Sequence, residues 1–187
     1  MELQRIFVIV LFGVFLITLI VIGIRNKKNS FSSKGKSPIN KKLFVIAKLS
    51  MFIIWIITII QALYPGFIRI KSYFVLSWIP VVIIFLGVLI IIISYIYLGT
   101  YSKFGLPTEK TELITSGLYS ISRNPMYMGL FFITVGSVIY FPNWLTIILA
   151  IETIFIHHRV VLAEEVFLAN TFNKKWDDYK KNTNRYI

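Results

Sequence analysis

Two polar clusters interrupt an otherwise apolar chain: Gly117-Leu118-Tyr119-Ser120-Ile121-Ser122-Arg123-Asn124-Pro125-Met126-Tyr127-Met128-Gly129, and further on Glu164-Glu165. In the first, Asn124-Pro125 reads as a helix start, because Asn suits the N-cap and Pro fits the first helical position, where its missing amide costs nothing. A helix N-terminus carries partial positive charge and Arg123 adds a full one, which makes a cradle for a carboxylate or phosphate. Tyr127 lies four residues beyond Arg123 and can project towards the same place. Glu164-Glu165 falls at the expected end of an apolar helix, where acids oppose the macrodipole and repel each other. A cation must compensate them: Arg159, Arg123 across a hairpin, or a positively charged ligand. Adjacent helical residues diverge by about 100°, so the two acids face different surroundings.

Blander readings compete. Arg123 could anchor a span at the headgroups, and Tyr127 could belong to an interfacial aromatic belt together with Tyr95, Tyr97 and Tyr101. His157 and His158 each precede a Glu by seven residues, about 10 Å along the axis, too far for one metal ion to bridge. No compact ligand spacing occurs, and no metal is expected. Glu152 lies inside the apolar run, where an acid is costly unless paired or functional; Arg159 is nearly on its face, about one turn too far for easy contact.

The elements that must position these residues are membrane helices. With 57% hydrophobic residues in 187 and a mean hydropathy of +0.76, the chain has more apolar surface than a soluble core of its size can bury. The apolar runs are about 20 residues long, the length that crosses a hydrocarbon layer of roughly 30 Å. They lack the period-2 alternation of barrel strands. The expected fold is an all-α polytopic membrane protein with five spans, near Leu3 to Ile24, Leu43 to Tyr64, Phe74 to Leu98, Met126 to Tyr140 and Trp144 to Ala163. Pro80 is expected to kink the third. The last two spans are joined only by Phe141-Pro142-Asn143-Trp144 and must form a tight hairpin, which brings the two polar clusters side by side. Residues 1–42 read as an N-terminal anchor and basic linker, loosely coupled to a core of residues 43–187.

Of the 20 basic residues, 15 lie in the segments after the first, third and fifth runs and Arg159 lies near the end of the fifth. By the positive-inside rule those segments are cytoplasmic and the N-terminus is outside. The net charge of +12 thus reflects topology and attraction to anionic headgroups; nucleic-acid binding is not expected from scattered basic residues without a reading module. The absence of cysteine excludes disulfides and thiolate chemistry.

The two clusters resemble those of the isoprenylcysteine carboxyl methyltransferase family, related to the phospholipid methyltransferases, in which a Gly-x-Tyr-x-x-x-Arg-His-Pro-x-Tyr-x-Gly run precedes a helical hairpin and a Glu-Glu-x-x-Leu motif follows it. Here the matching residues are Gly117, Tyr119, Arg123, Pro125, Tyr127 and Gly129, then Glu164, Glu165 and Leu168, then Phe172, Trp176, Tyr179 and Arg185. Asn124 stands where the family has His; it can donate a hydrogen bond but cannot become a cation near neutral pH. The resemblance implies S-adenosylmethionine as cofactor, held by Tyr119, Arg123, Asn124, Pro125, Tyr127, Glu164 and Glu165. It also implies methyl transfer to a lipophilic acceptor, a carboxylate by analogy, with Glu165 and Arg185 as catalytic residues and Arg185 orienting the acceptor. A soluble dinucleotide-type methyltransferase is excluded, since no Gly-x-Gly-x-x-Gly and no strand-helix alternation occur.

Two other readings stay open. A membrane reductase of the steroid-reductase type shares a similar motif and uses NADPH, but usually has Asn after the Pro and Glu after the Gly, where this chain has Met126 and Leu130. A non-catalytic scaffold would use the clusters only as interfacial anchors. Abundant Ile, Lys and Asn point to an AT-rich bacterial genome, hence a bacterial cytoplasmic membrane, where the acceptor is a lipophilic small molecule, a lipidated molecule or a membrane lipid.

Overall fold

A computed structural model of the chain describes residues 2–28, 37–65, 78–99 and 112–186. It contains α1 (Glu2–Lys28), α2 (Lys41–Leu63), α3 (Trp78–Leu98), α4 (Pro125–Tyr140), α5 (Trp144–Phe172) and α6 (Lys174–Asn182), with a 3-10 turn over Gly117–Ser120. Among the described residues there is no strand, only an isolated parallel bridge between Ser122 and Asn184. The all-α membrane architecture read from the sequence is the one observed. Side chains are apolar on both faces of the long helices: Ile17, Ile56, Ile96 and Ile151 are exposed, whereas Phe15, Ile54, Ile84 and Ile133 are buried. A helix apolar all round belongs in lipid.

The spans are not five of equal length. Four helices, α1, α2, α3 and α5, are long and apolar enough to cross a membrane. The fourth expected crossing, α4, has 16 residues, about 24 Å at 1.5 Å per residue against a hydrocarbon core of roughly 30 Å. Conversely α5 runs past the expected end at Ala163 to Phe172, 29 residues in all. Glu164 and Glu165 therefore lie about two turns inside a continuous helix, beyond the reach of its C-terminal dipole, so burial and mutual repulsion, rather than the macrodipole, demand their compensation. The hairpin between α4 and α5 is closed by Asn143, whose side chain accepts from the Thr146 amide at 3.1 Å. Asn173, at φ 48°, ends α5 and redirects the chain into α6. The tail is thus helical over Lys174–Asn182, with Trp176 and Tyr179 buried.

Helices α3 and α4 make the closest approach. A Cβ on Gly87 would lie 2.7 Å from the Gly129 carbonyl oxygen, one on Gly129 would lie 2.7 Å from that of Gly87, and one on Gly136 would meet Ile84 and the Pro80 carbonyl. Small residues at membrane helix contacts let backbones approach in this way. Gly129, part of the sequence motif, is thereby a packing residue. Pro80 sits in the first described turn of α3, where proline is tolerated; residues 74–77, where the span was expected to begin, lie outside the described residues.

The first helix packs into the bundle. Phe15 meets Trp55 of α2 edge-on at 4.9 Å, Val8 and Phe12 are buried, and Arg5 donates from Nε to the Ala62 carbonyl at 2.8 Å. Residues 29–36 of the basic linker are outside the described residues. Tyr95, assigned to an aromatic belt, is instead buried, while Tyr97 is exposed and packs over Gly117; Tyr101 lies outside the described residues.

Replacing Gly129 or Gly87 by Ala is expected to push α3 and α4 apart and destabilise the protein by about 1–3 kcal/mol, the usual range for overpacking. The thermal midpoint of the purified protein in detergent should fall for both variants, while Gly13→Ala, in open space, should leave it unchanged.

Candidate functional site

The start of α4, the last third of α5, α6 and the residues after it converge at one end of the bundle. Glu165 is the centre of this convergence. Its Oε1 accepts from Arg123 Nε and from Asn124 Nδ2, both at 3.1 Å, and its Oε2 accepts from Arg185 Nε at 3.1 Å and Nη2 at 2.9 Å. The Glu165 and Arg123 side chains are only 8% and 7% exposed, and that of Arg185 35%. Arg123 also donates from Nη1 to the carbonyls of Thr183 and Lys180. Of the two side-chain cations the sequence allowed, Arg123 pairs with Glu165, joined by Arg185, while Arg159 is exposed.

Backbone contacts set this geometry. The Arg123 amide donates to the Asn184 carbonyl at 2.9 Å, and Ser122 Oγ donates to the Arg185 carbonyl at 3.2 Å. Asn124 occupies the N-cap of α4 without a side-chain capping bond. Its Nδ2 is turned instead to Glu165 and to the Arg185 carbonyl, at 3.1 and 3.3 Å. Pro125 is the first residue of α4 and is buried. Tyr179 donates from its hydroxyl to the Tyr119 carbonyl at 2.5 Å, tying α6 to the 3-10 turn. Burial pushes the Tyr179 phenol up to about 12 and raises that of Tyr119 as well, so both remain neutral hydroxyls across the physiological range. The carboxylate of Glu165 raises the pKa of Arg185 above its ordinary value. His158 Nδ1 and the Tyr186 hydroxyl lie 2.9 Å apart, and Tyr186 packs edge-on against Phe131.

Beside this latch lies a cavity of about 410 Å³, within the range of roughly 300–1,000 Å³ typical of small-molecule sites. Glu164, about 100° around α5 from Glu165, lines it and accepts from the Tyr127 hydroxyl at 2.8 Å. Tyr119, Arg123, Asn124 and His157 also line the polar end, and Phe15, Leu19, Phe52 and Trp55 of α1 and α2 line the apolar end. Glu165 and Arg185 line a smaller neighbouring cavity instead. The two sequence clusters are therefore brought together, but they divide: Arg123, Asn124, Glu165 and Arg185 bond chiefly to one another, and Tyr127 with Glu164 faces the cavity.

Residues 75–175 match the family model for phospholipid methyltransferases, more than half of the chain. The chain belongs to the phospholipid methyltransferase family. It is a membrane methyltransferase, with the matched segment covering α3 to the start of α6 and leaving out α1, α2 and Arg185. No curated protein matches it. Among the described residues no group of three or more His, Asp or Glu side chains could hold a metal.

Trp176 and Tyr179, read from the sequence only as part of the motif match, and His157, weighed there only as a metal ligand, line the large cavity, and so does Lys48, to which sequence reasoning assigned no role in the site. For Lys48 the signal was present, since a charged residue in an apolar span is a functional candidate by default. Glu152 has no hydrogen-bond partner for either carboxylate oxygen among the described residues, and the distant pairing with Arg159 is not made.

Removing the charge of Glu165 strands a buried guanidinium, a loss of about 3–5 kcal/mol for a buried pair. Glu165→Gln should therefore release the tail: trypsin should cleave after Lys180 or Lys181 faster than in the parent, read by intact mass, with the helices up to α5 still protected. Arg185→Met, at the more exposed partner, should show the same change more weakly.

Proposed function

We propose that the methyltransferase uses S-adenosylmethionine and methylates a lipophilic acceptor within the 410 Å³ cavity. The observation that carries this is the joining, in one space, of a polar end built by the family motifs and an apolar end built by α1 and α2. The donor set fits the cofactor: a carboxylate, Glu164, and the aromatic faces of Tyr127, Trp176 and Tyr179 suit a ligand bearing an ammonium, a sulfonium, ribose hydroxyls and a flat base. When bound, S-adenosylmethionine supplies an electrophilic methyl group on cationic sulfur.

The geometry supports a role for each residue. Glu164 is the cavity's acid for the cofactor's cationic or hydroxyl groups, and Tyr127, by donating to Oε1, orients its second oxygen. Tyr119 and Asn124 shape the floor around the start of α4, which Pro125 begins. Arg123, Glu165 and Arg185 act by fixing the tail that closes the site, and Trp176 and Tyr179 come with it. Helices exclude water from the reacting end, which strengthens every charge interaction there, and a fixed approach of acceptor to methyl group supplies much of the remaining acceleration.

For the acceptor, the likeness to the isoprenylcysteine carboxyl methyltransferases suggests a carboxylate. Arg185, which that analogy would give to the acceptor, is engaged by Glu165 beside the smaller cavity. Recognition of the acceptor then falls to other residues of the large cavity. The bacterial cytoplasmic membrane, with the C-terminal tail on the cytosolic side where the cofactor is available, is the setting this reading implies.

Saturable binding of S-adenosylmethionine to the detergent-purified protein is expected, with no binding of NADPH. Glu164→Gln should weaken it by about 10- to 100-fold, the effect of losing a charged hydrogen bond. Tyr127→Phe should weaken it by about 2- to 10-fold. Isothermal titration checks all three, and binding of NADPH instead would move the assignment to a reductase.

A further inference from the structure

The cavity carries a residue that the family match leaves out, Lys48 of α2. Counting from Lys48, the cavity-lining residues of the same helix are Phe44, Met51, Phe52 and Trp55, at i−4, i+3, i+4 and i+7. That spacing is a single helix face. One stripe of α2 therefore presents an ammonium followed by about two turns of hydrocarbon, and Phe15 and Leu19 of α1 stand opposite the hydrocarbon.

The cavity wall carries two cations, Arg123 and Lys48. Arg123 is committed to Glu165 and to two carbonyls of the tail. Lys48 places its ammonium 3.9 Å from the centre of the Phe44 ring, at the junction of the polar and apolar ends, and is near enough to Glu164 for their charges to interact. An ammonium is a compact charge that binds carboxylate or phosphate without needing a bidentate fork. A ligand that matched this wall would carry its own negative group at the head and an alkyl chain beyond it.

Resting on the reading of this cavity as the acceptor site, we propose that Lys48 is its specificity-determining residue, binding an anionic group on the acceptor while the acceptor's chain lies along Met51, Phe52 and Trp55. The shared chemistry is an acidic amphiphile, whether its charge is a carboxylate or a phosphodiester. Placing the anion at Lys48 puts the head of such a molecule at the end of the cavity that holds Glu164 and Tyr127.

The test uses the full-length protein in a neutral detergent and three amphiphiles with the same sixteen-carbon chain scale: palmitate, hexadecyl methyl phosphate and hexadecanol. Binding is followed by the fluorescence of tryptophan, since Trp55 lines the cavity. Lys48→Met should weaken binding of palmitate, of the phosphodiester, or of both by about tenfold or more, with hexadecanol unchanged, and Lys48→Arg should restore the loss to within about threefold. Which anion responds distinguishes carboxylate from phosphodiester. Equal affinities in parent and Lys48→Met for all three, or an equal loss for hexadecanol, would overturn the proposal. Titration of S-adenosylmethionine into the parent protein is read separately, so a failure of the methyl-donor reading is not confused with a failure at Lys48.

Discussion

A carboxylate withdrawn from water in a membrane protein stays charged only where donors surround it, and Glu165 is where this chain meets that constraint. Four N–H groups from Arg123, Asn124 and Arg185 fill its two oxygens. Those donors come from the residues just before α4 and from the end of the tail, so satisfying one side chain of α5 fixes three segments at once. The parallel bridge between Ser122 and Asn184 and the Arg123 amide bond to the Asn184 carbonyl then follow as the backbone register that this arrangement permits. The tail in turn brings Trp176 and Tyr179 onto the cavity wall. Loss of the carboxylate would thus remove a wall as well as an ion pair.

Adjacency in sequence places Glu164 and Glu165 about 100° apart on α5, and the helix converts that angle into a division of labour. One acid holds structure together, and the other faces open space with a tyrosine hydroxyl on one oxygen. Asn124 fits the same logic. Glu165 already has two guanidinium partners, and a protonated imidazole at position 124 would bring a third positive charge to one carboxylate. A neutral amide delivers the donor without the charge, and its carbonyl neighbour in the tail takes a second bond from the same NH₂ group. Asn124 thus supplies both hydrogen bonds without a titrating group.

The membrane helices were legible because hydropathy measures the quantity that lipid selects, and the hairpin was legible because Phe141-Pro142-Asn143-Trp144 is too short for anything else. The length of α5 was not. The polar residues Glu164 and Glu165 look like an ending when read by hydropathy, whereas backbone hydrogen bonding carries α5 on to Phe172 regardless of side-chain polarity. The site clusters were recognisable from their types and spacing, yet the pairing inside them was hidden. Arg185 lies 20 residues beyond Glu165 and α6 intervenes; only the left-handed turn at Asn173 lets the chain come back. Lys48 escaped for a different reason, since its importance depends on which face of α2 is turned inward, and an almost uniformly apolar helix carries little periodicity to reveal that.

The packing of α1 bears on how much of the chain the site requires. If α1 were only a tether, the face of α2 bearing Met51, Phe52 and Trp55 would open directly to lipid. Phe15 instead stacks edge-on against Trp55 at 4.9 Å, and with Leu19 it closes the apolar end of the cavity. Two helices outside the matched family segment therefore add Phe15, Leu19, Met51, Phe52 and Trp55 to a wall to which the matched segment contributes Met126, Leu130, Phe167 and Leu168. The first span is thereby part of the cavity wall as well as a membrane helix.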